Sequence, residues 1–302
     1  MTDNKIFDVI IIGGSYAGLA AGMALGRSLK QVLIIDSGKP CNRQTPYSHN
    51  FLTHDGKPPK EIVALGRQQV ALYNTVQFLD DLAISGAKTA NGFEITVASG
   101  KTFRARKLVF ATGIKDLMPD IEGVDECWGI SVLHCPYCHG YEVRAEPTGI
   151  LSNGETGFEF AKLISNWTKD LVLYTNGVSG LNAEQAAQLD KHGIKIVEKE
   201  ISRLEHVDGH IQHLVFSDGS KATVKALYAR VGFEQHSDIP KALGCALTED
   251  GYISTDMMQE TTVKGVFACG DNTTRMRTVA NAVSMGTLTG IAVNKELVFE
   301  DF

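Results

Sequence analysis

The feature that most constrains this chain is an internal duplication. Gly13 to Gly38 and Ser152 to Gly177 carry the same arrangement of glycine-rich turn, helix and strand, and the two stretches align without a gap. In each copy an apolar run leads into the turn: Phe7-Asp8-Val9-Ile10-Ile11-Ile12 in the first, Gly149-Ile150-Leu151 in the second. Strand, tight turn, helix and parallel strand make a βαβ unit, so two copies call for two α/β domains with parallel sheets. At 302 residues the chain is also too long for one ordinary core.

The first copy carries the signals of a nucleotide-binding unit with one departure. Gly13-Gly14-Ser15-Tyr16-Ala17-Gly18 opens a helix through Leu19–Leu25, and the strand Val32-Leu33-Ile34-Ile35 ends at Asp36. Turn N–H groups and the helix dipole suit a pyrophosphate, and an acid at the end of the second strand suits ribose hydroxyls. Ser15 stands where the pattern has its middle glycine, which predicts a pyrophosphate pushed slightly outward or met by the hydroxyl. Residues 37–60, including Cys41-Asn42-Arg43-Gln44 and Ser48-His49-Asn50-Phe51, read as an irregular ligand-facing loop. A helix is expected over 60–73. Strands then turn at Asn91-Gly92 and Ser99-Gly100 and end in Leu108-Val109-Phe110-Ala111-Thr112-Gly113. Near the C-terminus Gly265–Asp271 is a strand ending in Gly270-Asp271, followed by a helix from Val279 to Leu297. The pattern predicts a discontinuous first domain of residues 1–114 and 235–302, with 115–234 inserted into it.

The second copy is weaker. Its first glycine is Ser152, Thr175 stands where the first copy has Asp36, and no arginine lies in Tyr174–Gly180 to clamp a 2′-phosphate. Losing one charge-assisted hydrogen bond costs ~1.5–3 kcal/mol. A nicotinamide site is therefore left open.

The second domain also carries His134-Cys135-Pro136-Tyr137-Cys138-His139-Gly140-Tyr141-Glu142. Two cysteines separated by two residues, with a proline between them, fit reversible oxidation. Zinc is a rival reading, but four ligands inside six residues crowd a tetrahedron, and a second ligand pair ~12–20 residues away is missing. The run Cys135–His139 matches the C-x-x-C-H haem attachment pattern, which calls for export. Buried structural thiols are the remaining rival. The other cysteines, Cys41, Cys127, Cys245 and Cys269, stand alone and read as isolated thiols. No metal site is expected.

The net charge of −6, without a dense Lys/Arg block, argues against nucleic acid or an anionic membrane as a partner. No apolar run approaches the ~20 residues of a bilayer span. Met1-Thr2-Asp3-Asn4 runs into the first strand with no signal-peptide pattern, so a cytoplasmic location is expected.

Together these motifs resemble, over nearly the whole chain, the low-molecular-weight thioredoxin reductases of the pyridine nucleotide-disulfide oxidoreductase class. The resemblance implies two Rossmann-like, three-layer FAD/NAD(P)-binding domains, the second inserted into the first. FAD would lie in the discontinuous domain and the redox-active disulfide in the other. By position, Gly13, Ser15, Gly18 and Asp36 would line the FAD pyrophosphate and adenosine ribose, with Arg43 and Ala111-Thr112-Gly113 also at the cofactor. Asn50 would lie beside the flavin. Gly270 and Asp271 would reach the ribitol, and Arg277-Thr278-Val279 would stand where the family has Arg-Gln-Ala by the flavin ring. The family has Asp after the second cysteine, where this chain has His139. The run Cys135–Glu142 is closer to a subgroup of thioredoxin reductase-like dithiol oxidases that close disulfides in natural products. The resemblance implies that Cys135 exchanges with substrate and Cys138 faces the flavin. His139 is expected to carry protons, because imidazole titrates near neutrality. Two directions stay open. In one, NAD(P)H feeds FAD, the cysteine pair and then a thioredoxin-like protein or small-molecule disulfide. In the other, a small-molecule dithiol reduces the pair, and oxygen or another acceptor takes the electrons. A non-enzymatic flavin-binding redox sensor is the third reading, and the family suggests a homodimer.

Overall fold

The computed structural model describes residues 5–302. It divides into two compact units. One comprises residues up to Arg43, Asn50–Lys115 and Phe233–Phe302; the other comprises Gln44–His49 and Asp116–Gly232. The chain therefore crosses between units at 43/44 and 49/50 as well as at 115/116 and 232/233. Strands Ile114–Leu117 and Gly232–Gln235 pair with each other, and Lys115 Nζ lies 2.8 Å from Glu234 Oε1.

The first unit is built on a parallel sheet in the order Val76–Asp80, Val32–Asp36, Ile6–Ile12, Thr102–Phe110 and Val266–Ala268. Val9 to Ile12 and Val32 to Ile35 are buried, as strands covered on both faces must be, which is why they read as continuous apolar runs. The N-terminal half of Thr102–Phe110 pairs instead with an antiparallel meander, Gly92–Val97 and Ala83–Thr89. The register is flush where it matters. Ile12 lies opposite both Ile35 and Phe110, and Phe110 lies opposite Ala268. The segments after these strands therefore meet along one edge, where ligands of open α/β sheets bind. On one face, helix Val279–Asp301 lies against helix Tyr16–Arg27 at small residues: a Cβ on Gly286 would fall 2.1 Å from the Ala17 carbonyl oxygen.

The second unit repeats the plan on a five-stranded parallel sheet, in the order Lys195–Val197, Leu171–Tyr174, Thr148–Leu151, Ala226–Ala229 and Val132–Leu133. Helix Gly154–Ile164 packs Phe158, Phe160 and Ile164 into a core with Leu173, Leu189 and Tyr228. Helix Ala183–Lys191 starts at a capping box formed by Asn182 and Gln185. Strands Ile201–Val207, His210–Phe216 and Lys221–Thr223 form a separate antiparallel sheet. No helix among the described residues is long and apolar enough to cross a membrane.

Candidate active site

At the sheet edge of the first unit, the chain leaves Ile12 through Gly13, whose φ of +106° and position against the Ala111 carbonyl oxygen, 2.2 Å from where a Cβ would stand, admit no side chain. Gly18 seats the first helical turn on this loop: a Cβ there would fall 1.8 Å from the Gly13 carbonyl oxygen. Ser15 is the N-cap of helix Tyr16–Arg27 and makes no side-chain capping bond. Its hydroxyl and the first N–H groups thus form an anion-binding end. Asp36 borders a cavity of about 930 Å³ that is also lined by Ser37, Gly38, Asp80, Asp81 and Leu82. Thr112 and Gly113 follow the central strand, and a Cβ on Gly113 would meet nothing within 4 Å.

The strand ending at Ala268 brings Gly270 and Asp271 to the same edge. Asp271 is held by Arg277, 3.8 Å away, and accepts a long contact from the Cys41 thiol at 3.7 Å. Asn272, wholly buried, donates to the Phe110 carbonyl at 2.9 Å and the Thr112 hydroxyl at 3.3 Å, locking the two segments together. Sequence reading missed Asn272. An amide directly after Gly270-Asp271 was the available signal. Thr278 serves the backbone: its hydroxyl accepts from the Asn281 N–H and caps helix Val279–Asp301. Arg43 is exposed and donates to Pro40 in its own turn. Asn50 takes a left-handed φ of +59°, its N–H held by Asp55. The turn, the uncapped helix end, the cavity at Asp36 and the carboxylate of Asp271 fit an extended dinucleotide carrying a pyrophosphate and polyol.

In the second unit Cys135 and Cys138 are joined in a disulfide, with Cα atoms 5.3 Å apart. Cys135 is the N-cap of the short turn Pro136–His139, and its sulfur accepts the Cys138 N–H at 3.1 Å. Pro136 takes the first helical position, where its missing donor costs nothing. Gly140 lets the motif lie on Trp167: a Cβ would fall 2.8 Å from the indole Nε1. Tyr137 meets Trp167 edge to face, and Tyr141 lies under the Arg144 guanidinium. Both tyrosines are mostly exposed. Elsewhere, burial pushes the Cys127 thiol up to about 11 and the Cys269 thiol up to about 12, so neither offers thiolate at neutral pH.

His139 departs from the sequence expectation. Burial, with a smaller contribution from the charge of His49, lowers its pKa to about 4. It is a neutral imidazole at pH 7 and does not titrate near neutrality. The nearby pairing of His49 Nε2 with Glu142 Oε1 at 3.6 Å was not legible, because the two residues lie far apart in sequence.

The second nucleotide unit is filled by its own side chain. Asn153 Oδ1 accepts from the Gly154 N–H at 2.7 Å and the Gly180 N–H at 2.8 Å, while Nδ2 donates to the Val178 carbonyl at 2.9 Å. Glu198 accepts the Ser179 N–H, and Thr175 turns its hydroxyl to the Gly177 carbonyl. Donors that would face a pyrophosphate or ribose are bound within the protein, and Glu155 places another carboxylate in the first helical turn.

This fold and its paired sites define a flavin-dependent disulfide oxidoreductase. The chain belongs to the pyridine nucleotide-disulphide oxidoreductase family, whose model matches residues 7–286. It is 32% identical to the thioredoxin reductase tcpT of Claviceps purpurea, over 99% of this chain and 96% of the relative. It is 30% identical to the thioredoxin reductase aclD of Aspergillus oryzae, over 98% of each. The crystal structure of an oxidoreductase from Agrobacterium tumefaciens superposes with a TM-score of 0.92 at 34% identity, covering 98% of this chain and 99% of that one. The protein is thus an FAD-dependent, thioredoxin reductase-like enzyme.

Proposed function

We propose that the chain is a dithiol oxidase, in which a small-molecule dithiol closes to its disulfide by exchange with Cys135–Cys138 and no nicotinamide is required. The observation that supports this direction is Asn153, whose carboxamide occupies the phosphate-binding turn of the second unit. Gly13, Ser15, Gly18, Asp36, Ala111–Gly113, Gly270, Asp271 and Arg277–Val279 would hold FAD, with Arg43 and Asn50 at its margin. FAD, when bound, supplies the two-electron acceptor for the reduced cysteine pair.

In the exchange, a substrate thiolate attacks the Cys135 sulfur and Cys138 leaves as a thiolate. The second substrate thiolate then attacks the mixed disulfide and releases Cys135. Two electrons pass from the substrate sulfurs to the cysteines, and the substrate loses two protons. His139, neutral at pH 7, is the base beside the pair. The exposed rings of Tyr137 and Tyr141 give the motif apolar faces that suit a compact organic dithiol.

The second reading, NAD(P)H-driven reduction of a thioredoxin-like protein, is favoured by the names of the relatives. Oxygen consumption separates the two. Turnover with dithiothreitol in the absence of nicotinamide, abolished by Cys138→Ser, is expected for the oxidase. Turnover with NADPH and thioredoxin alone assigns the reductase. The homodimer proposed from the family is checked by light scattering.

A further inference from the structure

The segment Gln44–His49 sits within the first half of the sequence, yet it is compact with the unit that carries the redox pair. It is fixed there. Ser48 is buried, and a Cβ on Gly129 would lie 2.8 Å from Thr45 Oγ1. His49 Nε2 stands 3.6 Å from Glu142 Oε1, and Glu142 follows His139 by three residues.

We infer that His49 and Glu142 are positioning residues behind His139: His49 shares the proton that His139 removes from a thiol during exchange at Cys135–Cys138, and Glu142 balances the charge. The inference rests on the exchange step of the proposed function, and the same step occurs in either direction of electron flow.

The chemistry of His139 explains why a second group is needed. Between an ordinary thiol near 8.5 and an imidazole at about 4, proton transfer runs roughly four decades uphill. A buried imidazolium without a counter-ion would return its proton before exchange occurred. His49 stands 3.6 Å from the half-exposed Glu142, which gives the proton both a counter-charge and a way to solvent.

The remaining charged and titratable neighbours do not take this part. Arg144 is turned onto the Tyr141 ring and carbonyl. The Tyr228 phenol is pushed up by burial and by the Glu142 charge, so it stays protonated. His134 stacks on Trp128. For each disulfide closed, two S–H bonds of the substrate and the Cys135–Cys138 bond break, and one substrate S–S bond forms. Two electrons reach the cysteines. Protons that the cysteines do not retain leave through His139, His49 and Glu142.

The test is rapid-quench alkylation of the oxidised holoenzyme mixed anaerobically with dithiothreitol, with free Cys135 and Cys138 counted by mass from about pH 5.5 to 8.5, a range that spans ordinary imidazole and thiol titration. His49→Ala is expected to slow the appearance of free cysteines about tenfold at pH 7, within the range for loss of proton-transfer assistance. It is also expected to displace the pH profile and to recover at least half of the rate in added imidazole. Glu142→Gln is expected to slow it about threefold while Glu142→Asp retains most of the rate. Wild-type rates and profiles in His49→Ala would overturn the inference. So would a uniform loss at every pH that imidazole does not restore, since that is the behaviour of a merely structural residue. FAD content and melting temperature identify a variant that has not folded. In that event His49→Gln, which keeps the side-chain volume, is measured by the same profile. If wild type gains free cysteines from NADPH rather than from dithiothreitol, the oxidase direction falls, and the same variants are scored on the NADPH-driven appearance of thiols.

Discussion

Replacing Asn153 by glycine, the residue that the first copy carries at this position as Gly14, removes three well-formed hydrogen bonds, to Gly154, Gly180 and Val178. Asn153 is exposed, so each bond contributes at the low end of the usual range, ~0.5 kcal/mol, and the loss amounts to about 1–2 kcal/mol. For a unit of this size that lowers the melting temperature by about 4–8 °C. The gain in nicotinamide affinity is small. A micromolar site is worth about −8 kcal/mol, and three missing charge-assisted bonds at ~1.5 kcal/mol each leave a dissociation constant near 1 mM. Glycine frees the Gly154 and Gly180 N–H groups, but Thr175 still offers no carboxylate, and Glu155 and Glu198 still repel phosphate. Calorimetric titration with NADPH should therefore show wild type near 1 mM or weaker and Asn153→Gly improved by about tenfold at most. Micromolar binding by wild type, or an unchanged melting temperature in the variant, would refute the idea that this side chain replaces a ligand.

Gly18→Ala should yield protein without bound FAD, because its Cβ would lie 1.8 Å from the Gly13 carbonyl oxygen; a normal ratio of flavin to protein absorbance would contradict this. His139 gives stability a pH dependence of known sign. Its folded pKa of about 4 lies below the unfolded 6.5, so the unfolded chain binds the extra proton between these values. The corresponding stability is fully present above pH 6.5 and is lost as pH falls towards 4, by at most ~3 kcal/mol. Urea denaturation of His139→Gln at about pH 7 and 4.5 should show a smaller difference than wild type, and equal differences would dismiss the assignment. Lys107, buried between Glu296 and Glu300, anchors the last helix to the sheet. Lys107→Met leaves Glu296 with Lys264 and Glu300 with Arg106 but removes their one buried cation, and should cost about 1–3 kcal/mol in guanidinium unfolding; a change below about 0.5 kcal/mol would show these pairs to be inert.

The duplicated unit was legible because each of its parts is a local signal. Continuous apolar runs mark strands buried on both faces, and Gly13 and Gly18 mark contacts that exclude a Cβ. The strands around Asn91-Gly92 and Ser99-Gly100 were likewise announced by turn residues. The capping box of Asn182 and Gln185 was present in the sequence and went unread, so helix Ala183–Lys191 was missed. Other features depend on the fold. Asn153 is an ordinary polar residue until its rotamer places it across the turn. Thr278 stands where an amide was expected beside a flavin, and in the structure its hydroxyl caps a helix. His139 looks like an ordinary titrating histidine until its burial is known. That Gln44–His49 joins the other unit follows from tertiary contacts that no periodicity records.

The direction of electron flow is tested most directly by mixing the yellow protein anaerobically with dithiothreitol, NADPH and NADH in separate cuvettes and following the flavin absorbance. An oxidase is bleached by the dithiol, recovers on admitting air, and is bleached by neither nicotinamide at about 0.1 mM, roughly tenfold below the dissociation constant argued for the second unit. Rapid bleaching by NADPH or NADH, with none by the dithiol, would contradict that direction and make the enzyme a reductase.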